Sequence, residues 1–204
     1  MIFEQIKVSN RDNFCYVIGD EISKEAAVVD VAGAITEILR FLDKHKLKLA
    51  YIISTHGHSD HTTGNPQLAS FTRAKIAAHV STHAQKDIAL SDGASLAIGQ
   101  VQLRLLHTPG HTPDSICVLA NGKLMTGDTL FVGECGRTDL PGGSSEQMYS
   151  SLFEKISKLG DDIEIYPGHD YGSKRSSTIA FEKKNNYTLQ PRTKAQFIEF
   201  MAQP

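Results

Sequence analysis

The order of elements in this chain predicts an α/β (α+β) fold in which sheets are covered by helices on their outer faces, a four-layer αββα sandwich or a related arrangement. Three observations carry that expectation. Strand-like segments come in groups, each closed by a helical segment, and the pattern runs through the chain twice. Asn121-Gly122 sits between Val118-Leu119 and Leu124-Met125, where asparagine and glycine supply the positive φ of a tight antiparallel hairpin. At 204 residues the chain is long enough for one sizeable two-layered core and too short for two ordinary domains, so residues 1–204 are expected to form one domain.

The strand-like segments, with period-two or fully apolar character, are Ile2 to Val8, Phe14 to Ile18, Ala26 to Asp30, Tyr51 to Ser54, Lys75 to Ala78, Val101 to His107, Ser115 to Leu119, Lys123 to Thr126 and Ile163 to Tyr166. Helical spacing occurs in Ala34 to His45, where Ile35, Ile38, Leu39 and Leu42 share a face, and more weakly in Gln67 to Phe71 and Thr82 to Leu90. The clearest helix is Ser145 to Leu159. Ser144 and Gln147 form a capping box, Met148, Leu152, Ile156 and Leu159 line one face, and Gly160 ends it. The polar stretch Arg175 to Pro204 holds one short helix, around Ala195 to Met201.

Composition narrows the function classes. A formal net charge of -2, from 21 basic and 23 acidic residues, gives no electrostatic case for nucleic acid or an anionic membrane, so a small-molecule substrate is expected. No run of about eighteen apolar residues occurs and the amino terminus lacks a basic region followed by an apolar one, which points to a soluble, cytoplasmic protein. Cys15, Cys117 and Cys135 contain no C-x-x-C pair and read as small core hydrophobes, with only Cys135 close to other chemistry. Pairing of two copies through edge strands or the carboxy-terminal helix is open.

The chemistry is concentrated at Thr55-His56-Gly57-His58-Ser59-Asp60-His61, directly after the buried-strand pattern Tyr51 to Ser54. His56 and His58 are two apart and project to one side of an extended segment, whereas Asp60 and His61 follow after a turn and can reach a second position. Such a cluster suits two adjacent metal ions better than one. Further candidates stand at strand ends, each beside glycine: His111 in Pro109-Gly110-His111, Asp128 in Gly127-Asp128, and His169 in Gly168-His169. Ligands gathered from several strand ends converge on one rim of a sheet. His45, His79, His83, Asp87 and His107 lie outside this pattern and are expected to be surface or core residues.

The H-x-H-x-D-H motif followed by His111, Asp128 and His169 resembles the metallo-β-lactamase superfamily over nearly the whole chain. The resemblance implies a metallo-β-lactamase-like fold with two divalent ions, zinc or iron or manganese. His56, His58 and His111 would hold one, Asp60, His61 and His169 the other, and Asp128 would bridge them. A metal-held water falls from a pKa of about 15.7 to roughly 7 and becomes a nucleophile, with Asp60 orienting it or relaying its proton.

Two branches look closest. The segment Gly127 to Asp139 is similar to glyoxalase II, which hydrolyses a glutathione thioester, and to persulfide dioxygenases, which oxidise glutathione persulfide with O2 at one Fe(II) that would map onto His56, His111 and Asp128. Arg137-Thr138-Asp139 stands where glyoxalase II would have a lysine and an aromatic pair, and matches the dioxygenases and short glyoxalase-like hydrolases. Leu140-Pro141-Gly142-Gly143 is closer to the short hydrolases, and the tail after Tyr166 to the dioxygenases. Asp30-Val31-Ala32 departs from the family's Asp-Pro-Gly turn without removing a ligand. Arg137 could clamp a substrate carboxylate or pair internally with Asp139, and Tyr171 could donate its hydroxyl to a developing oxyanion. The first expectation is a glyoxalase II type thioester hydrolase acting on a small-thiol conjugate. The runner-up is a mononuclear iron persulfide dioxygenase, and a metal-stabilised scaffold without turnover is the remaining class.

Overall fold

In a computed structural model describing residues 1–8 and 12–203, two six-stranded sheets face each other and helices cover both outer surfaces. The first sheet runs in sequence order: β1 (Ile2–Val8), β2 (Asn13–Gly19), β3 (Glu25–Val29), β4 (Lys48–Ile53), β5 (Lys75–His79) and β6 (Ile88–Leu90). Its first three strands are antiparallel and the rest parallel, with α1 (Ile35–His45) crossing from β3 to β4, and α2 (Ser59–Thr62) and α3 (Asn65–Thr72) from β4 to β5. The second sheet is ordered β12-β11-β10-β9-β8-β7, built from β7 (Ser95–Ile98), β8 (Val101–His107), β9 (Ile116–Ala120), β10 (Lys123–Gly127), β11 (Glu164–Pro167) and β12 (Ser177–Thr178).

Side-chain alternation explains the layering. In β2, Phe14, Tyr16 and Ile18 enter the core between the sheets with Val29, Ile53, Leu103, Leu105, Val118 and Met125, while Cys15 and Val17 face the opposite way, toward Ile38, Leu42 and Leu68 of the helices. A third apolar cluster joins Cys117, Leu124 and Ile165 of the second sheet to Met148, Leu152, Ile156 and Phe197. Three clusters separate four layers. Each fully buried Leu, Ile or Phe contributes at most about 1.5–3 kcal/mol by leaving water.

The expected β9–β10 hairpin is present, with Asn121 at φ 45° and Gly122 at φ 78°. The helix expected from Ser145 forms as a continuous run whose winding changes. It is α-helical at α4 (Ser145–Tyr149), widens to a π-helical stretch (Ser150–Lys155) and tightens to a 3₁₀ turn (Ile156–Lys158). Ser144 accepts the Gln147 amide, and Met148, Leu152 and Ile156 are fully buried, as their spacing requires. From this run Ser151 donates to Pro109 O (2.6 Å) and Lys155 to His107 O (2.7 Å), bracing the loop that carries His111.

Thr82 to Leu90 is not helical. The chain turns through 80–87, then forms β6 beside β5, with Leu90 in the inter-sheet core, because the apolar spacing there also fits a short strand. Asp87 Oδ2 accepts the Ile76 amide (2.8 Å) and so extends that pairing. Two elements had no clear sequence signal. β7 pairs with β8 through a Gly99 turn, and α5 (Ile179–Asn185) lies in the polar tail. Buried Glu182 anchors α5 by accepting from Gly133 N (2.8 Å) and Asn186 Nδ2 (2.8 Å). The short terminal helix is α6 (Lys194–Met201), opened by a Thr193–Gln196 capping box; Pro204 lies outside the described residues. The cysteines are free and buried.

Candidate metal centre

All the candidate ligands sit on one rim, just past the ends of β4, β8, β10 and β11. After β4 the chain bends through Thr55 to Gly57, His58 is extended (φ -63°, ψ 144°), and the single turn α2 then redirects Asp60 and His61. Three imidazole nitrogens converge first. His58 Nδ1 is 2.9 Å from His56 Nε2 and 3.1 Å from His111 Nε2. The second group is Asp60, His61 and His169, where His61 Nε2 and His169 Nε2 are 3.3 Å apart and Asp60 Oδ2 lies 3.7 and 3.6 Å from them. Asp128 stands between the groups. Its Oδ1 is 3.4 Å from His61 Nε2, and its Oδ2 is 3.3 Å from His169 Nε2 and 3.6 Å from His111 Nε2.

Glycines make this approach possible at Gly136 and Gly168. A Cβ at Gly168 would press on Asp128 Oδ1 and come within 2.9 Å of His61 Cε1, and one at Gly136 would collide with the Asp128 carbonyl. Outer contacts fix the rings. Asp30, buried at the end of β3, accepts the Thr55 amide (2.7 Å), the Thr55 hydroxyl (2.7 Å) and His61 Nδ1–H (2.9 Å), which leaves the His61 Nε2 lone pair for the cluster. His111 Nδ1 donates to the Arg137 carbonyl (2.8 Å), and Asn13 donates to Asp60 Oδ2 (3.3 Å). Asp30, Asn13 and Thr55 escaped the sequence reading. The available signal for Asp30 was an acid closing an otherwise apolar strand.

Titration follows from this crowding. Burial and the neighbouring His61 and His111 hold His56 well below the ordinary imidazole value, so it stays neutral. Burial also pulls on His61, but Asp128, Asp30 and Asp60 outweigh it and raise it to about 9. Burial pushes against ionisation of Asp128, yet His61 and His169 hold that carboxyl well below the usual range.

The residues fit divalent cations. Imidazole nitrogens and carboxylate oxygens crowd together here, and Asp128 Oδ1 and His169 Nδ1 are buried without a hydrogen-bond partner among the described residues. Three donor groups could each hold an ion: His56, His58 and His111; His56, His61 and Asp128; and Asp60, His61 and His169.

With that geometry the chain can be set beside known proteins. The metallo-beta-lactamase superfamily profile matches residues 9–87 and 81–169. The chain belongs to this superfamily. It is 36% identical over 193 residues to human mitochondrial persulfide dioxygenase ETHE1, covering 92% of this chain and 74% of the relative. It is 34% identical over 175 residues to a hydroxyacylglutathione hydrolase of Anaeromyxobacter dehalogenans, covering 85% and 67%. The crystal structure of ETHE1 from Myxococcus xanthus superposes with a TM-score of 0.94 at 34% identity, over 100% of this chain and 92% of that one. The fold is the metallo-β-lactamase sandwich, and enzymes are its relatives on both sides of the hydrolase and dioxygenase division.

The candidate centre borders a cavity of about 240 Å³ lined by His111, Asp128, Phe131, Arg137 and Tyr171. The Tyr171 ring stacks on His169 at 4.6 Å, nearly parallel, and is 59% exposed. Arg137 gives Nε and Nη2 to Asp139, both at 2.6 Å, in an exposed bidentate pair. Of the residues outside the motif, His79 and His107 stack on each other at 4.0 Å, His45 lies against Phe41, and His83 lines a second cavity. Among the described residues no helix is long and apolar enough to cross a membrane.

Proposed function

We propose that this chain is a metal-dependent hydrolase of glyoxalase II type that cleaves a thioester of glutathione or a related small thiol. The observation that carries the reading is the pair of separate donor groups, His56/His58/His111 and Asp60/His61/His169, with Asp128 placed between them. Two cations held there would lower the pKa of a water and polarise a thioester carbonyl.

The chain's own residues do the rest. Against burial, His61 and the Asn13 hydrogen bond hold Asp60 below the ordinary carboxylate value, so it stands ionised beside His61 and His169 and could orient a water or relay its proton. Burial, Asp128 and Asp60 raise the Tyr171 hydroxyl above its ordinary value, so it remains a donor for a developing oxyanion. Asp139 holds Arg137 extended at the mouth of the cavity, and the guanidinium's remaining N–H groups are available to a substrate carboxylate.

The second reading, a persulfide dioxygenase with His56, His111 and Asp128 as iron ligands, is favoured by the ETHE1 likeness in sequence and structure. Elemental analysis of protein purified without added metal, together with assays on S-acylglutathiones and on glutathione persulfide, tests both. About two ions per chain with thioester cleavage and no oxygen uptake is expected. About one iron per chain with oxygen uptake would overturn the hydrolase.

A further inference from the structure

A second cavity, of about 330 Å³, borders the candidate metal centre at His58 and is lined also by His83, Ala84, Pro113, Asp114 and Pro141. The first cavity is lined by the candidate ligands His111 and Asp128 and the second by His58, so both border the centre through different ligands. Their chemistry is opposite. The first carries the Arg137 guanidinium, whereas the second has the Asp114 carboxylate and is lined by neither lysine nor arginine.

Asp114 is 8% exposed; Thr82 donates to its Oδ2 (2.7 Å), and its Oδ1 takes no hydrogen bond among the described residues. Gly57 lets this carboxylate sit under the H-x-H turn, since a Cβ there would lie 3.1 Å from Asp114 Oδ2. Pro113, Pro141 and Ala84 supply apolar walls, and His83 adds an exposed polar edge.

We propose that this second cavity is the acyl-side subsite, taking an acyl chain of several carbons that ends in a hydrogen-bond donor and rejecting one that ends in a carboxylate. The inference rests on the thioester reading and deepens it. A thioester's two arms leave one carbon, and that carbon must lie at the metals, so the arms diverge into different cavities. An acidic thiol arm goes to the Arg137 side, and the acyl arm goes to the Asp114 side, where the buried Asp114 carboxylate repels a second negative charge.

The test uses metal-loaded protein and glutathione thioesters carrying acetyl, hexanoyl, 6-aminohexanoyl and adipoyl groups, with the matching non-hydrolysable ketone analogues for calorimetric Kd values. The wild type is expected to prefer 6-aminohexanoyl over adipoyl by about tenfold or more in both kcat/KM and Kd. Asp114→Asn should shrink that ratio to within about threefold. Ala84→Phe, at a half-buried loop position, should weaken all the six-carbon acyl groups by about tenfold relative to acetyl. Hydrolysis with ratios unmoved by both variants would overturn the subsite and leave the thioester reading standing. If no thioester is cleaved, that reading fails, and the analogues still decide the subsite. Binding that Ala84→Phe weakens supports it, and absent or unaffected binding overturns it.

Discussion

Replacing Asp30 by asparagine should weaken cation binding most at the donor groups that contain His61. The change is isosteric, and asparagine tolerates the left-handed backbone of this position (φ 58°) as aspartate does. Oδ1 can keep accepting the Thr55 amide, so the new Nδ2 must stand where Oδ2 faced the Thr55 hydroxyl and His61 Nδ1. A donor there forces His61 to accept at Nδ1 and carry its proton on Nε2, the atom that faces His169 and Asp128. The reversed amide sets its NH2 against the Thr55 N–H, leaving buried donors opposed at a cost of about 1–3 kcal/mol. Loss of such an outer contact lowers metal affinity by roughly 10–100-fold, about 1.4–2.8 kcal/mol.

Competition titration against a chromophoric chelator should therefore show the Asp60/His61/His169 group weakened by that factor, and a smaller loss at the His56/His58/His111 group, which Asp30 reaches only through the Thr55 hydroxyl 3.2 Å from His56 Nδ1. In the metal-free protein the same substitution alters the response to pH. His61 is raised to about 9 against an ordinary 6.5, so its carboxylate partners contribute stability that is complete below 6.5 and lost as pH rises through 9. Asp30→Asn should flatten urea-unfolding stability across that window. Two ion affinities within about threefold of wild type, with an unaltered pH limb, would refute the tautomer argument.

Gly168→Ala should cost at least about tenfold in metal affinity, seen by calorimetric titration, because its Cβ presses on Asp128 and lies 2.9 Å from His61 Cε1. Burial and the stacked His107 lower His79, so the unfolded chain takes up that proton first and stability falls as pH drops below about 6.5. The groups around it are Asp114, Asp92 and Lys86, and His79→Gln should make the acid limb of a chemical-denaturation series shallower. Burial pushes the Cys117 thiol up to about 11 and Cys135 to about 12; modification by an aromatic disulfide at pH 8 should run at least about a hundredfold slower in the native protein than in urea. An equal rate would mean that these thiols open to solvent.

The layered fold and the convergence of the candidate ligands were legible because each rests on local spacing. Alternation along Phe14 to Ile18 places one face in each of two cores, and H-x-H-x-D-H needs only a strand end and one helical turn to split into two sets. What escaped depends on contacts distant in sequence. Asp30 reads as a turn residue until β3 and β4 lie side by side and bring it to His61. Glu182 and Asn186 make the tail look solvated, yet they are buried against the 131–134 loop. Thr82 to Leu90 failed for another reason. Four apolar positions in nine residues satisfy a weak helix and a short strand alike, and only the neighbouring β5 decides.

The ligands are divided between the sheets, and that division says what a bound cation would hold together. His56, His58, Asp60 and His61 follow β4 of the first sheet, while His111, Asp128 and His169 follow β8, β10 and β11 of the second. Each donor group therefore takes members from both: His111 closes the group begun by His56 and His58, and His169 closes the group begun by Asp60 and His61. The protein already ties the sheets at this rim by backbone bonds, Phe14 N to Gly168 O (2.8 Å) and Ile116 N to Thr55 O (2.8 Å). An ion in either group adds a bond across the same seam, so its binding free energy enters the docking of one sheet on the other rather than the stability of either sheet alone.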